Sequence, residues 1–325
     1  MKPFSFLPVM IVATVLAQDE PKPEEKKPDA PADRGKTIWL ITKGGRESYW
    51  KAARIGAMKA GKDLGVKINW QAPLTETDLS KQIQLVEQAI TQRADGILLS
   101  PITETGLTDV IGRAAGANIP VVIFDSPTKS DKPAAFLATD QVKAGELAAR
   151  RIGEATGGKG RVLMIRGHPD NSATMAREEA FKKALAREYA DIKLLDNYGR
   201  GDRQKSTEVS EEMLKAYSDA AAIYASNENS TFGALAAVAS RGLTGKIKVI
   251  GSDASRQLAE ALALGTLDAL VVQAPAQMGY KGVQAVVDAM DGKSVDKRTD
   301  TAVELATKEN MNDPSIKELL SPEGR

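Results

Sequence analysis

The sequence contains no cysteine and only one histidine, His168. Without cysteine the chain can form no disulfide, no thiolate nucleophile, no zinc–thiolate site and no lipid link to an N-terminal cysteine. A single histidine excludes a multi-histidine metal site and a conventional histidine-rich active site. We therefore expect no bound metal, and we expect no cofactor.

An excess of charge of one sign is also missing, since 44 Lys and Arg face 43 Asp and Glu. No basic stripe provides the electrostatic footprint that nucleic-acid binding requires, so nucleic acid is not an expected partner. The length of 325 residues exceeds what one hydrophobic core usually serves. Two domains are the expectation from length alone.

The N-terminal residues are typical of an export signal followed by a tether. Lys2 precedes the apolar run 4–17, and small residues end that run, as a signal peptidase requires. We predict a signal peptide over 1–17, cleaved near Ala17, and a disordered Pro- and charge-rich linker over 18–36. A retained membrane anchor is the alternative. The expected location is the periplasm.

From Thr37 onward, short apolar runs alternate with amphipathic helices. The strand candidates are almost continuously apolar, which is typical of strands buried on both faces of a parallel sheet. They fall into two series with a change of phase near Thr139. This pattern predicts an α/β fold with two doubly wound, Rossmann-like parallel-sheet lobes. The predicted strands are 37–42, 66–70, 96–100, 121–125, 135–140, 161–166, 192–197, 221–226, 247–253 and 269–273.

Four of the later strands end in a polar residue: Asp125, Asn227, Asp253 and Gln273. Ligands of open parallel sheets bind beyond the carboxyl ends of the strands, where helix N-termini also point. Each residue could instead cap the helix or turn that follows it, as Asp and Asn often do. Because four such residues occupy similar places in two lobes, a shared polar site is the better explanation.

The residues from Thr37 to about Thr301 resemble the periplasmic sugar-binding proteins of ABC transporters, in particular the ribose-binding type. The similarity extends over most of the chain, in the family's order and spacing. The stretches that carry it are 55–65, 120–125, 138–152, 172–181, 225–238, 249–255 and 271–286.

This resemblance implies the type I periplasmic binding protein fold, with two lobes joined by a three-crossing hinge. The hinge crossings would lie near Ala138–Thr139, Gln273–Ala274 and Thr301–Ala302. The lobe boundaries are then 37–138 plus 274–302 for the N-terminal lobe, and 139–273 plus 303–325 for the C-terminal lobe. The resemblance also implies a monomer that closes on a monosaccharide or polyol and presents it to a membrane permease.

By position, five residues match those that hydrogen-bond sugar hydroxyls in the family: Asp125, Arg177, Asn227, Asp253 and Gln273. Carboxylate, amide and guanidinium groups suit the donors and acceptors of a sugar. Tyr49 and Trp50 stand where the family places an aromatic pair, and rings suit the apolar faces of a sugar. Core packing on the first helix is the alternative role for this pair.

Several positions depart from the ribose-binding pattern. Lys43 and Glu47 replace small neutral groups, Ser126 replaces a second arginine, and Gly201 replaces a pocket aromatic. We include Lys43, Glu47 and Ser126 in the predicted site, whereas the sequence leaves open whether His168 and Gly201 line it. The changes point away from ribose and toward another pentose, a hexose, a polyol or a sugar with a charged substituent.

The sequence is therefore compatible with three functions. The first is a solute-binding protein, with no catalysis, that delivers a sugar to an ABC transporter. The second is a protein of the same fold that presents a sugar or an autoinducer to a chemoreceptor or sensor kinase. The third, less favoured, is a glycoside-processing enzyme that uses Asp125 and Asp253 as an acid–base pair.

Overall fold

The computed structural model describes residues 1, 3 and 35–321. The predicted signal peptide and most of the predicted linker therefore lie outside the described residues. The compact unit that carries the fold begins at Gly35.

Two six-stranded sheets form the framework. The first has the strand order β11-β5-β4-β3-β1-β2, and all of its neighbouring strands pair in parallel. Its strands are β1 (Thr37–Ile41), β2 (Lys67–Gln71), β3 (Gly96–Leu99), β4 (Val121–Phe124), β5 (Ala135–Thr139) and β11 (Arg298–Thr301).

The second sheet repeats this order as β12-β10-β9-β8-β6-β7. Its edge strand β12 runs antiparallel to β10, whereas the other pairs are parallel. Its strands are β6 (Lys159–Arg166), β7 (Asp191–Tyr198), β8 (Ala220–Ala225), β9 (Lys248–Ser252), β10 (Ala269–Gln273) and β12 (Val303–Thr307).

Ten helices accompany the strands within residues 35–321. They are α1 (Ser48–Leu64), α2 (Leu79–Thr91), α3 (Thr108–Gly116), α4 (Gln141–Thr156), α5 (Ser172–Glu188), α6 (Arg203–Ala216), α7 (Glu228–Ser240), α8 (Arg256–Leu264), α9 (Pro275–Met290) and α10 (Pro314–Leu320). In this part of the chain, no helix combines the length and the apolar character needed to cross a membrane.

The continuous apolar runs are explained by helices on both faces of each sheet. Along β1, Ile38 and Leu40 join the core beneath α1 and α9, while Trp39 and Ile41 join the core beneath α2 and α3. Because successive side chains of a strand point to opposite faces, both sets must be apolar. The predicted α/β fold with two parallel-sheet lobes is confirmed. The two edge strands β11 and β12 were absent from the prediction.

The chain passes between the sheets three times, from β5 to α4, from β10 to α9 and from β11 to β12. After the second passage, α9 packs closely on α1. A Cβ atom at Gly56 would lie 1.8 Å from the carbonyl oxygen of Ala276, and one at Gly279 would lie 1.9 Å from that of Ala53. Glycine at both positions lets the two helix backbones touch, which holds α9 against the first sheet.

Candidate functional site

The polar strand ends of both sheets meet around one cavity of about 410 Å³. We call it the inner cavity. Its lining residues are Glu47, Tyr49, Trp50, Glu76, Asp125, Asn171, Ala173, Thr174, Arg177, Asn227, Glu228, Asn229, Asp253 and Gln273.

Asp125 and Asp253 occupy equivalent places, directly after the fourth strand of each lobe's parallel series. Both have left-handed backbone conformations, with φ of 65° and 70°. Aspartate tolerates this region better than most residues, but the conformation is uncommon and tends to occur at functional sites. The strands thus end one residue earlier than predicted, at Phe124 and Ser252.

Asp125 is held by a set of donors from its own lobe. Its Oδ2 lies 2.8 Å from Nζ of Lys43 and accepts from the Ser126 and Ser100 hydroxyls, while its Oδ1 accepts from the Tyr49 hydroxyl at 2.7 Å. Burial works to raise the pKa of Asp125, but the Lys43 ammonium and these hydrogen bonds hold it below its ordinary value. Asp125 is therefore a buried, ionised acceptor.

Asp253 provides the matching carboxylate from the second lobe. Its Oδ2 accepts the backbone N–H of Glu228 at 2.9 Å, and its Oδ1 accepts from the Gln273 amide at 2.5 Å. Nη1 of Arg177 lies 3.9 Å from Oδ1 and donates to the carbonyl of Ser226. Burial raises the pKa of Asp253, and the nearby Arg177 counteracts part of that rise.

The aromatic pair Tyr49 and Trp50 serves both the cavity and the hydrophobic core. Tyr49 and Trp50 line the inner cavity and also belong to the core of the first lobe. Their rings meet edge to face with centroids 4.8 Å apart. The Trp50 indole N–H donates to Glu76 at 2.5 Å. Both polar groups are engaged, so the pair is fixed in position.

Eight of the ten predicted site residues line the inner cavity. The other two, Lys43 and Ser126, stand behind Asp125: Nζ of Lys43 donates to the Ser126 hydroxyl at 2.5 Å. Asn227 also caps α7, because its Oδ1 accepts the Ser230 N–H at 2.8 Å. Asn227 therefore both caps α7 and lines the inner cavity. As contacts to a ligand, all ten remain predictions.

The sequence analysis missed Glu76, Asn171 and Glu228. Glu228 directly follows the predicted Asn227 and could have been found from that position. Asn171 caps α5 and accepts a contact from Lys43 at 3.3 Å across the cleft. Glu76 lies in the loop between β2 and α2, where no periodic pattern marks it.

A larger cavity of about 1,060 Å³ adjoins the first and shares four lining residues with it. We call it the outer cavity. His168 and Gly201, which the sequence left unassigned, line the outer cavity and not the inner one. The shared residues are Glu47, Glu76, Glu228 and Asn229.

Two of the glutamates that line both cavities, Glu76 and Glu228, have raised pKa values. Burial, followed by the proximity of Glu47, raises the pKa of Glu76 to about 8. Burial and the charge of Asp253 raise the pKa of Glu228 to about 7, although Glu228 accepts the backbone N–H groups of Ser48 and Tyr49 at 3.3 and 3.4 Å. Because α1 and α7 belong to different lobes, this contact bridges the cleft.

These pKa values predict that the ligand-free protein loses stability as the pH rises from about 5 to about 8. A carboxyl whose pKa is raised by folding stabilises the fold fully below its unfolded value of 4.5, and that stabilisation is lost as the pH passes the folded value. For Glu228 alone the loss is on the order of 3 kcal/mol, at about 1.4 kcal/mol per pKa unit. Asp125, with a lowered pKa, titrates below this window and does not oppose the trend.

Urea denaturation at pH 5 and pH 8.5 measures this effect. Glu228→Gln should flatten the profile, and Glu179→Gln, an exposed change on α5, should not. A free energy of unfolding that is constant or increases with pH would show that the glutamates are not buried as the geometry indicates.

Comparison with known proteins identifies the family to which the chain is similar. Residues 38–294 match the family model described as periplasmic binding protein domain. The chain is 29% identical over 278 residues to the ribose import binding protein of Bacillus subtilis, covering 83% of this chain and 87% of that protein. It is 32% identical over 254 residues to the D-allose-binding periplasmic protein of Escherichia coli, covering 74% and 80%.

Solved structures agree with the sequence relatives. A carbohydrate transporter solute binding protein from Agrobacterium radiobacter, in complex with D-arabinose, superposes with a TM-score of 0.85 at 31% identity. The match covers 89% of this chain and 100% of that one. The predicted type I periplasmic binding protein fold is therefore confirmed.

Proposed function

Since the chain belongs to the periplasmic binding protein domain family, we propose that it captures a monosaccharide or related polyol between its two lobes and delivers it to an ABC transporter. The observation that carries this proposal is the pair of buried aspartates, Asp125 and Asp253, which reach one cavity from opposite lobes.

The chemistry of the inner cavity suits a polyhydroxy ligand. A carboxylate accepts several hydrogen bonds, and Oδ1 of Asp125, whose one described donor is the Tyr49 hydroxyl, has room for a ligand hydroxyl. Arg177 is 2% exposed and offers donors from the other lobe. Trp50 and Tyr49 supply the apolar surface that the C–H faces of a sugar require.

The proposal includes binding without catalysis. A glycosidase would need one free carboxylate to act as nucleophile or base. Oδ2 of Asp125 already faces Lys43, Ser126 and Ser100. Asp253 is likewise engaged by Gln273 and by the backbone of Glu228. Both groups are therefore arranged to hold hydroxyls in place, and the protein should release its ligand unchanged.

The proposed partner is the permease of an ABC transporter, which would recognise the closed form of a monomer. The three passages between the lobes, beside Thr139, Gln273 and Thr301, are the proposed hinge. We further propose that the protein acts in the periplasm after cleavage of its signal near Ala17. Relatives named as import and periplasmic binding proteins support this assignment.

A thermal-shift screen of the purified protein against pentoses, hexoses and polyols tests the proposed function. A ligand at 100 times its dissociation constant adds about 2.7 kcal/mol, which for lobes of this size raises the melting temperature by about 5–10 °C. Mass spectrometry of the denatured protein detects any ligand that co-purifies. If no sugar shifts the melting temperature and none co-purifies, the proposal is wrong.

A further inference from the structure

The charges of the inner cavity fall into two groups. The two buried cations at or beside the cavity are already matched to the two aspartates: Lys43 lies 2.8 Å from Asp125, and Arg177 lies 3.9 Å from Asp253. Lys43 is 1% exposed, and its Nζ also contacts the Ser126 hydroxyl and the Asn171 side-chain oxygen. Its three donors are used, and its charge offsets only part of the rise in the pKa of Glu76, with which it forms no ion pair.

Three glutamates at the junction of the two cavities remain without a cation. Within residues 35–321, no lysine or arginine nitrogen forms an ion pair with Glu47, Glu76 or Glu228. Glu76 and Glu228 have neutral N–H partners, from Trp50 and from the start of α1. Oε2 of Glu47 is fully enclosed and has no hydrogen-bond donor among the described residues.

Glu47 and Glu76 face the same point beside Gly44. A Cβ atom at Gly44 would lie 2.8 Å from Oε2 of Glu47, 3.2 Å from Cγ of Glu76 and 3.4 Å from a ring carbon of Trp50. The raised pKa of Glu76 has the same origin, because burial and the neighbouring Glu47 both act on it. Two acids and an aromatic edge thus meet beside Gly44, and both acids line the inner and the outer cavity.

An enclosed acceptor without a donor costs free energy unless a partner arrives. The partner must be a donor, and a positive charge there would also offset the cost of ionising the two neighbouring acids Glu47 and Glu76. The geometry does not favour a metal ion, since no group of three acidic or histidine side chains in the described part of the chain is placed to bind one. An organic cation is therefore the fitting partner.

We propose that the ligand is a sugar or polyol bearing a protonated amine, and that Glu47 and Glu76 bind its ammonium at the junction of the inner and outer cavities. This inference rests on the proposed function, because the hydroxyls of the same ligand occupy the inner cavity. It explains why a ribose-binding type of pocket carries an acid at position 47.

An acidic sugar is the competing ligand, because Arg46, Arg200 and Arg203 line the outer cavity. None of these arginines lines the inner cavity, and the guanidinium of Arg203 stacks on the Phe232 ring at 3.6 Å. The enclosed charges next to the hydroxyl-binding groups are the glutamates, so the amine is favoured.

Matched ligand pairs measured by isothermal titration calorimetry test the proposal. The pairs are D-glucosamine with D-glucose, D-galactosamine with D-galactose, and 1-amino-1-deoxy-D-glucitol with D-glucitol, and D-glucuronic acid is measured beside them. In at least one pair, the amine should bind about 10-fold or more tightly than its neutral partner, as expected for a charge-assisted hydrogen bond.

Variants locate the amine within the site. Glu47→Gln keeps the size of the side chain and should remove most of the preference for the amine over its neutral partner. Glu76→Gln should act in the same direction. Glu179→Gln, on the exposed face of α5, is the matched control and should leave both affinities unchanged.

The outcomes separate this inference from the proposed function. If neutral sugars bind as tightly as their amines, or if glucuronic acid binds more tightly than any amine, the amine proposal is wrong and sugar binding stands. If Glu47→Gln leaves the preference intact, Glu47 does not hold the ammonium. If neither member of any pair binds, the amine proposal is wrong, and the thermal-shift screen decides separately whether sugar binding stands.

Discussion

Replacing Asp125 with alanine is expected to lower the free energy of unfolding by about 3–5 kcal/mol. Asp125 and Lys43 are 7% and 1% exposed, and their charged groups lie 2.8 Å apart. The substitution leaves the Lys43 ammonium buried without its counter-charge. It also removes the acceptor for the Tyr49, Ser100 and Ser126 hydroxyls. Asp125 therefore supports the first lobe as well as the ligand site.

A double variant separates the effect of leaving Lys43 unpaired from the effect of losing the hydrogen bonds to Asp125. Lys43→Met with Asp125→Ala removes both ions, so it should be less destabilised than Asp125→Ala alone, as replacing a whole buried pair usually costs less than breaking one. Urea unfolding of the two variants and the native protein gives the comparison. Equal destabilisation of the single and double variants would show that the Lys43–Asp125 pair does not determine stability at this point.

Asp253→Asn is expected to weaken ligand binding strongly, with a much smaller effect on stability. The asparagine oxygen can still accept the Glu228 N–H, but the charged acceptor for ligand hydroxyls is gone and Arg177 loses its counter-ion. Losing such a buried charged partner costs about 2–5 kcal/mol of binding free energy, which is at least about 30-fold in affinity. Isothermal titration calorimetry with the tightest-binding ligand from the thermal-shift screen measures this loss of affinity.

The control for this prediction is Asp131→Asn, on a side chain that is 82% exposed and far from the cavity lining. It should bind like the native protein. An Asp253→Asn variant that binds within threefold of the native affinity, with an unchanged melting temperature, would mean that Asp253 does not contact the ligand.

The sequence was sufficient to predict the central strands and the carboxylates at their ends. Strands such as β4 and β10 are buried on both faces, so their composition alone identifies them. The parallel pairing of the central strands also follows from this alternation, because parallel strands require crossover connections that are usually helical. Strand β11 was missed because it is a four-residue edge strand with the sequence RTDT, which has no apolar pattern.

Within the site, the sequence could not assign roles that depend on distant contacts. Lys43 was predicted as a site residue from its position alone, and its ion pair with Asp125, 82 positions later in the chain, could not be predicted from local sequence. Glu76 reaches the cavity from a loop and is held by the Trp50 indole, a contact that no local spacing encodes. Such roles are set by the packing of the lobe, and only the assembled structure brings these groups together.

The most direct measurement is a crystal structure of the protein with the strongest ligand from the screen. The account predicts one sugar or polyol molecule in the inner cavity, with hydroxyl groups within hydrogen-bond distance of Asp125 from one lobe and of Asp253 and Arg177 from the other. Binding confined to the outer cavity, or contact with one lobe only, would contradict the claim that the two lobes close on the ligand.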